Sequence, residues 1–389
     1  MATYSIKRFA DPDALKHIQP RYLLALLKPY RAYFASEGLS LPETDDLELD
    51  HETLARILMN PSDATPSELA STLYPINEMA TLEMMDHLLD AAKAAGLSLD
   101  AGSDATPADV AVQVWLKDRG LFERKHSEQL VRRPRSFQSF QSRELPGREI
   151  DPSPEQLALL ESDLDDWFEE RKRGRGCRLF VFPEEDALYF LVRHGQPFKR
   201  EGSLQGGRSG SVYYRPEKHD IVSYIAASGE LRMNAASPKE KDLYRTKFGL
   251  RLFASEDHFP GTAKYTLDPL REQGEDSLAC PEVEGMQWVK LTEIRYWWGG
   301  AEKEIETRSA GDLFASVRSR KGQLPSRLPL IGAKFLVKFS GAKMPRSISI
   351  RPPNIAEYTR DDDERLVEQW LSLRGFILTK QAEVDEDAE

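Results

Sequence analysis

The sequence has little that would place it outside a reducing, aqueous compartment. Cys177 and Cys280 are the only cysteines among 389 residues, so neither a disulfide framework nor a four-cysteine zinc site can be built. No apolar run approaches the ~20 residues needed to cross a bilayer. The opening residues, Met-Ala-Thr-Tyr-Ser-Ile-Lys-Arg, lack the apolar stretch of a secretory signal. These absences predict a cytoplasmic protein with no membrane partner. The 7 histidines show no His-Glu-x-x-His or other close ligand spacing, so no metal site is expected. No repeat recurs at solenoid period.

Charge is plentiful but unevenly spread. The formal net charge is −11, yet residues 1–120 hold 10 basic and 19 acidic residues, and residues 361–389 hold 3 and 10. From Thr307 to Ala356 there are ten basic residues and one acid, Asp312. An acidic chain thus carries a strongly basic stretch, which points to a phosphate, a nucleic acid or an acidic protein surface as partner.

The pattern of apolar residues changes along the chain. Residues 1–145 read as an all-α domain, with an apolar stripe over Arg21–Phe34 that Pro29 interrupts. Thr65-Pro-Ser-Glu68, Thr106-Pro-Ala-Asp109, Ser153-Pro-Glu-Gln156 and Ser237-Pro-Lys-Glu240 each place a hydroxyl, a proline and an acid or amide as a helix start requires. Residues 146–176 predict a linking helix; before it, Phe137 and Phe140 stand at helical spacing. From Cys177 the period becomes 2, and strands are expected at Cys177–Pro183, Ala187–His194, Ser211–Tyr214, Asp220–Tyr224 and Glu230–Asn234. Later strands are expected at Gln287–Leu291, Glu293–Trp298, Lys334–Phe339 and Arg346–Ile350, with a closing helix over Asp361–Arg374. Because few helices separate the strands, the fold class is an all-α N-terminal domain followed by a mainly antiparallel, β-rich α+β region. That region is expected to divide into 177–275 and a basic subdomain, 276–376, with 377–389 a disordered acidic tail.

Three groups of residues could carry chemistry. Leu188-Tyr-Phe-Leu-Val-Arg-His-Gly195 resembles the Arg-His-Gly signature of the histidine phosphatase superfamily. That resemblance, about eight residues long, implies His194 as a phosphoryl-accepting nucleophile and Arg193 as a phosphate clamp. The family's second histidine has no counterpart after an apolar strand downstream. A second group, Asp220, Glu230 and Arg232, is similar to the Asp and Glu-x-Lys pattern of metal-dependent nucleases. Two carboxylates there would hold Mg²⁺, the cofactor that such a nuclease requires. Arginine stands where that pattern has lysine, and its pKa is too high to serve by deprotonation.

The third group is distributed. Trp297 and Trp298 adjoin the basic stretch, where Arg318, Arg320, Lys321, Lys334, Lys338 and Arg346 offer cations to a phosphate backbone while exposed aromatic rings stack on bases. The glycine-rich Gly202–Ser211 lacks the Gly-Lys-Ser/Thr of a P-loop and is expected to be a flexible loop. Tyr214–Asp220 and Ile350–Asn354 resemble segments of uncharacterised bacterial proteins from mobile-element and phage-defence neighbourhoods. The expected function is a non-enzymatic component binding nucleic acid or a phosphate-rich ligand, its acidic helical domain engaging a protein partner. A nuclease using Asp220 and Glu230, a phosphatase using His194 and an interaction scaffold are the alternatives.

Overall fold

Helix signals in the first third of the chain are realised as short amphipathic helices around one apolar core. They are α1 (Lys7–Ala10), α2 (Pro12–Lys16), α3 (Pro20–Leu27), α4 (Arg31–Ser36), α5 (His51–Met59), α6 (Ser67–Met79), α7 (Leu82–Ala94), α8 (Pro107–Lys117) and α9 (Arg119–Arg132). The computed structural model describes residues 5–44, 48–102, 104–132, 134–144, 146–184, 187–261, 263–322, 324–325, 328–359 and 364–378. Pro29 lacks an amide hydrogen and sits in a 3₁₀ turn, Lys28–Tyr30, which separates α3 from α4. Phe9, Leu27, Phe34, Leu54, Leu73 and Phe122 meet in the core. The chain forms two compact units, and the helices up to Leu130 belong to the first together with Lys199–Tyr214.

The expected helix starts fare differently. Ser153 and Ser237 form complete capping boxes with Gln156 and Glu240. Thr106 accepts from the amide of Asp109. Thr65 does not cap α6: its hydroxyl accepts from the Ser62 amide and bonds the Tyr33 hydroxyl at 2.9 Å. A tertiary partner there outcompetes the local one.

The second unit is built on a ten-stranded, wholly antiparallel sheet. Its strands are β1 (Ser136–Gln141), β2 (Arg178–Pro183), β3 (Leu188–Gly195), β6 (Glu217–Ile225), β7 (Glu230–Asn234), β8 (Met286–Gly299), β9 (Glu304–Ser309), β10 (Leu330–Phe339), β11 (Arg346–Arg351) and β12 (Ile355–Glu357). Their order is β2-β3-β6-β7-β1-β12-β11-β10-β8-β9. Strands on both sides of residue 275 therefore share one sheet, with β1 hydrogen-bonded between β7 and β12. β1 corrects the helical spacing read from Phe137 and Phe140. Pairing on both edges, with Ser139 opposite Arg232 and Phe140 opposite Leu231, decides the local structure.

β4 (Lys199–Gln205) and β5 (Arg208–Tyr214) pair only with each other and cluster with the first unit, where the Gly206 amide donates to Asp63 at 3.1 Å. The glycine-rich Gly202–Ser211 is thus part of a regular hairpin rather than a flexible loop. Gly206 and Gly207, at φ +54 and +75, supply the left-handed pair that a two-residue turn needs.

Because side chains alternate along strands, the register fixes what covers each face. Val192, Val222, Leu231 and Met233 meet α10 (Pro154–Glu170) and α11 (Pro238–Phe253) in one core with Leu160, Phe168 and Phe248. Phe335, Ile348, Ile350 and Ala356 meet α14 (Glu364–Leu373) through Val367 and Trp370. Ala356 pairs with Phe137, two residues from Ser139, and Ser139 pairs with Arg232. α14 therefore covers the face opposite to the one under α10 and α11. Among the described residues, no helix lies over the other face of the half-sheet β8–β12 as α14 does over the first. The remaining helices are α12 (Pro269–Glu272) and α13 (Leu313–Ser319). Residues 379–389 and Asp361–Asp363 lie outside the described residues, so the acidic tail and the first turn expected for the closing helix are not part of this description.

Candidate functional site

Asp220 and Glu230 sit on neighbouring strands but on opposite faces. Val222 faces Met233 and Tyr224 faces Leu231, so Asp220 shares the α10–α11 side with them. Glu230 pairs with Ile225 and points, with Arg232, toward α14. The two carboxylates do not converge, and no nuclease site forms from this pair. Ile225, the partner of Glu230, stands five residues from Asp220, and that odd offset, set by the hairpin register, turns the two to opposite faces.

On the α14 side Glu230, 1% exposed, accepts from Arg232 Nε at 3.0 Å and from Lys264 Nζ at 3.0 Å. Arg232 reaches Glu364 at 2.5 Å and Glu368 at 3.2 Å, and Lys264 also reaches Glu368 at 3.2 Å. Burial acts to raise the Glu230 pKa, but the Arg232 and Lys264 charges outweigh it and hold the carboxyl well below the usual range. The network fastens α14 to the sheet. Each of its charges is engaged by a partner, as a structural knot requires.

On the α10–α11 side His194 is 3% exposed and stacks on Phe168, with ring centroids 4.1 Å apart. Its Nδ1 lies 2.9 Å from the Gly195 carbonyl and its Nε2 3.0 Å from Asp220 Oδ2. Each ring nitrogen faces a protein oxygen, and the buried ring is not presented to solvent as a phosphoryl-accepting nucleophile would be. Arg193 alternates to the other side of β3, over Phe180. Gly195 is also explained without phosphate chemistry: a Cβ there would lie 2.5 Å from the Arg173 carbonyl and 2.6 Å from Arg215 Cδ. Asp220 additionally accepts from the Tyr244 hydroxyl at 2.8 Å and pairs with Lys218 at 2.8 Å. Lys218 bridges to Glu240 at 3.0 Å, and Arg173 bonds the same Glu240 oxygen at 2.5 Å.

The open face of the β8–β12 half-sheet has a different character. Glu293 pairs with Lys334, Lys334 with Ser349, and Ser349 with Glu357, so all four share one side. Arg295 and Arg351, two residues along from Glu293 and Ser349, join them. Together with Arg135, Ser347 and Tyr358 they line a cleft of about 290 Å³. Lys334 lies 3.7 Å from Glu293, and Arg351 lies 3.4 Å from Glu357. Arg135 and Arg295 form no ion pair among the described residues. Lys241 on α11 senses the same field: burial and then the Arg351 charge depress its pKa. Trp297 lies two residues beyond Arg295 on this face, opposite Ile305, and is 44% exposed.

The basic residues expected to act together are divided by this geometry. Trp297, Lys334 and Lys338 lie on the open face, although Lys338 is tied to the carbonyls of Ala342 and Lys343. Trp298 alternates to the other side, where its indole donates to Glu306 at 3.0 Å. Arg346 pairs with Val337 and therefore also points to the α14 side. Arg318 lies in the last turn of α13 and Arg320 and Lys321 follow it; Arg318 pairs with Glu275 and Arg320 bonds Ser316 Oγ at 2.7 Å. Among the described residues, no hydrogen bond, ion pair or cation–π contact joins that turn to Trp297 or Trp298. The sequence does not single out Arg135, Arg295, Ser347 or Ser349, and includes Arg351 only as one of ten cations in the basic stretch, because only the pairing of β8, β10, β11 and β12 assembles them. No protein-family model matches the chain, and no curated protein shows significant similarity to it.

Proposed function

We propose that the chain is a non-enzymatic binding component whose open half-sheet face holds single-stranded nucleic acid or a similar phosphate-rich ligand. The observation that carries this reading is the placement of an exposed Trp297 on the same face as Arg295, Lys334 and Arg351, beside Arg135, which forms no ion pair among the described residues. Cations offset the phosphate charge, and an exposed indole stacks on any base. A sheet face without a covering helix is also a surface on which splayed bases can lie. Glu293 and Glu357 temper the charge and favour a ligand that brings hydrogen-bond donors as well as phosphates. The acidic helical unit is the surface proposed to meet a protein partner.

Fluorescence anisotropy with a labelled mixed-sequence oligonucleotide tests the assignment. Affinity is expected to fall steeply with salt, and Arg295→Glu with Arg351→Glu to weaken it by at least about tenfold. Trp297→Ala is expected to cost about 1–3 kcal/mol of binding, whereas Arg318→Glu should have a far smaller effect. Binding that the double charge reversal leaves unchanged would remove the site from this face.

A further inference from the structure

We propose that His194, Asp220 and Glu240 form a site for one divalent transition-metal ion, which competes with the Lys218 ammonium for the two carboxylates. One ligand atom from each of the three lies within 4.8 Å of the other two. They come from β3, β6 and α11, and each residue is at most 3% exposed.

The orientation of His194 is the first argument. A carbonyl only accepts, so Nδ1, 2.9 Å from the Gly195 oxygen, carries the proton; this tautomer follows from the hydrogen-bond pattern. In the neutral ring Nε2 then presents a lone pair to Asp220 Oδ2 at 3.0 Å, which is itself an acceptor. Two facing acceptors call for a cation between them. An imidazole anchored through one nitrogen to a backbone carbonyl, with the other aimed at carboxylates, is the arrangement metal-binding histidines use.

The carboxylates supply the second argument. Asp220 and Glu240 converge on one ammonium, with Lys218 Nζ 2.8 Å from the first and 3.0 Å from the second. The two acids already hold a point charge between them. The Lys218 side chain is 19% exposed, so its head can turn to water when another cation takes its place. Ligand atoms around a tetrahedral ion at ~2.0–2.1 Å stand roughly 3.3 Å apart; His194 Nε2 and Asp220 Oδ2 already lie 3.0 Å apart, and the three ligand atoms must draw in from within 4.8 Å of one another.

One imidazole nitrogen and two carboxylate oxygens suit Zn²⁺, Mn²⁺, Fe²⁺ or Co²⁺ better than Mg²⁺ or Ca²⁺, which take oxygen ligands. Burial of all three ligands marks the ion as a structural one. It would tie α11 to the sheet and stabilise the fold in proportion to its occupancy.

Titration of the full chain with Co²⁺, followed by visible absorption and by melting temperature, tests this. The expected result is a spectrum saturating at one ion per chain with a raised melting temperature. Lys218→Met keeps all three ligands and removes the competing ammonium, and should bind at least about tenfold more tightly. His194→Gln should weaken binding by more than roughly 100-fold, beyond the usual cost of losing an outer-shell partner. No stoichiometric binding to the wild-type chain would overturn the site, leaving a proton as the cation between His194 and Asp220. So would binding that His194→Gln leaves unchanged. A Lys218→Met chain that binds no tighter would overturn the exchange with lysine.

Discussion

Glu230 shows how much can depend on a single buried charge. It satisfies Arg232 and Lys264 at once, and both are themselves nearly excluded from water. Glu230→Ala is expected to destabilise the second unit by about 3–5 kcal/mol, the cost of leaving buried cations uncompensated, as measured by denaturant unfolding. Glu240 gives the chain an acid limit. Burial alone would raise its pKa, yet hydrogen bonds from Arg173 and Lys218 hold it at about 2, against an ordinary 4.5. A carboxylate depressed in the folded state lends stability above its unfolded pKa and loses it as pH falls through the folded one. The Glu240 contribution, on the order of 3 kcal/mol, is therefore complete above about pH 5 and fades between roughly pH 4.5 and 2. Unfolding measured across that window should show a shallower slope in Glu240→Gln than in the wild type.

Elements differ in how plainly the sequence announces them. α10 and α11 are written in local chemistry, since Ser153 and Ser237 begin complete capping boxes. Ser237→Ala should accordingly cost about 1 kcal/mol in thermal or chemical unfolding, the usual worth of a cap. The hydrophobic periods of β3, β6 and β7 were equally legible. β1 was not, because Ser-Phe-Gln-Ser-Phe-Gln alternates only weakly and takes its conformation from partners distant in sequence. β9 went unseen as well: five of its six residues are polar, and most are exposed at the sheet edge. The candidate site was legible as composition but not as geometry. Trp297 and Lys334 were visible, whereas their company with Arg295, Arg351 and Arg135 exists only through strand register. Charge counting also gathered Arg318–Lys321 and Arg346 into the same group, although the fold turns them elsewhere.

At the scale of the second unit, one sheet serves two cores on opposite faces, and β1 is the seam between them. A fragment spanning residues 146–275 lacks β1 and exposes the edge of β7, along with Glu230 and Arg232 without Glu364 and Glu368. It is expected to remain unfolded or to aggregate, whereas residues 131–378, with the first unit's hairpin Lys199–Tyr214 replaced by a short flexible linker, should give a cooperative melt and dispersed amide resonances. The seam also has a consequence for the order of events during synthesis. β1 leaves the ribosome well before either neighbour, and Phe137 waits for Ala356 until nearly all of the remaining sheet has been translated. Local hairpins such as β2–β3 can form as they emerge, but closure across β1 is a late, long-range step. Until then an unpaired strand rich in serine and glutamine is exposed, and the nascent chain is most in need of a chaperone during that interval.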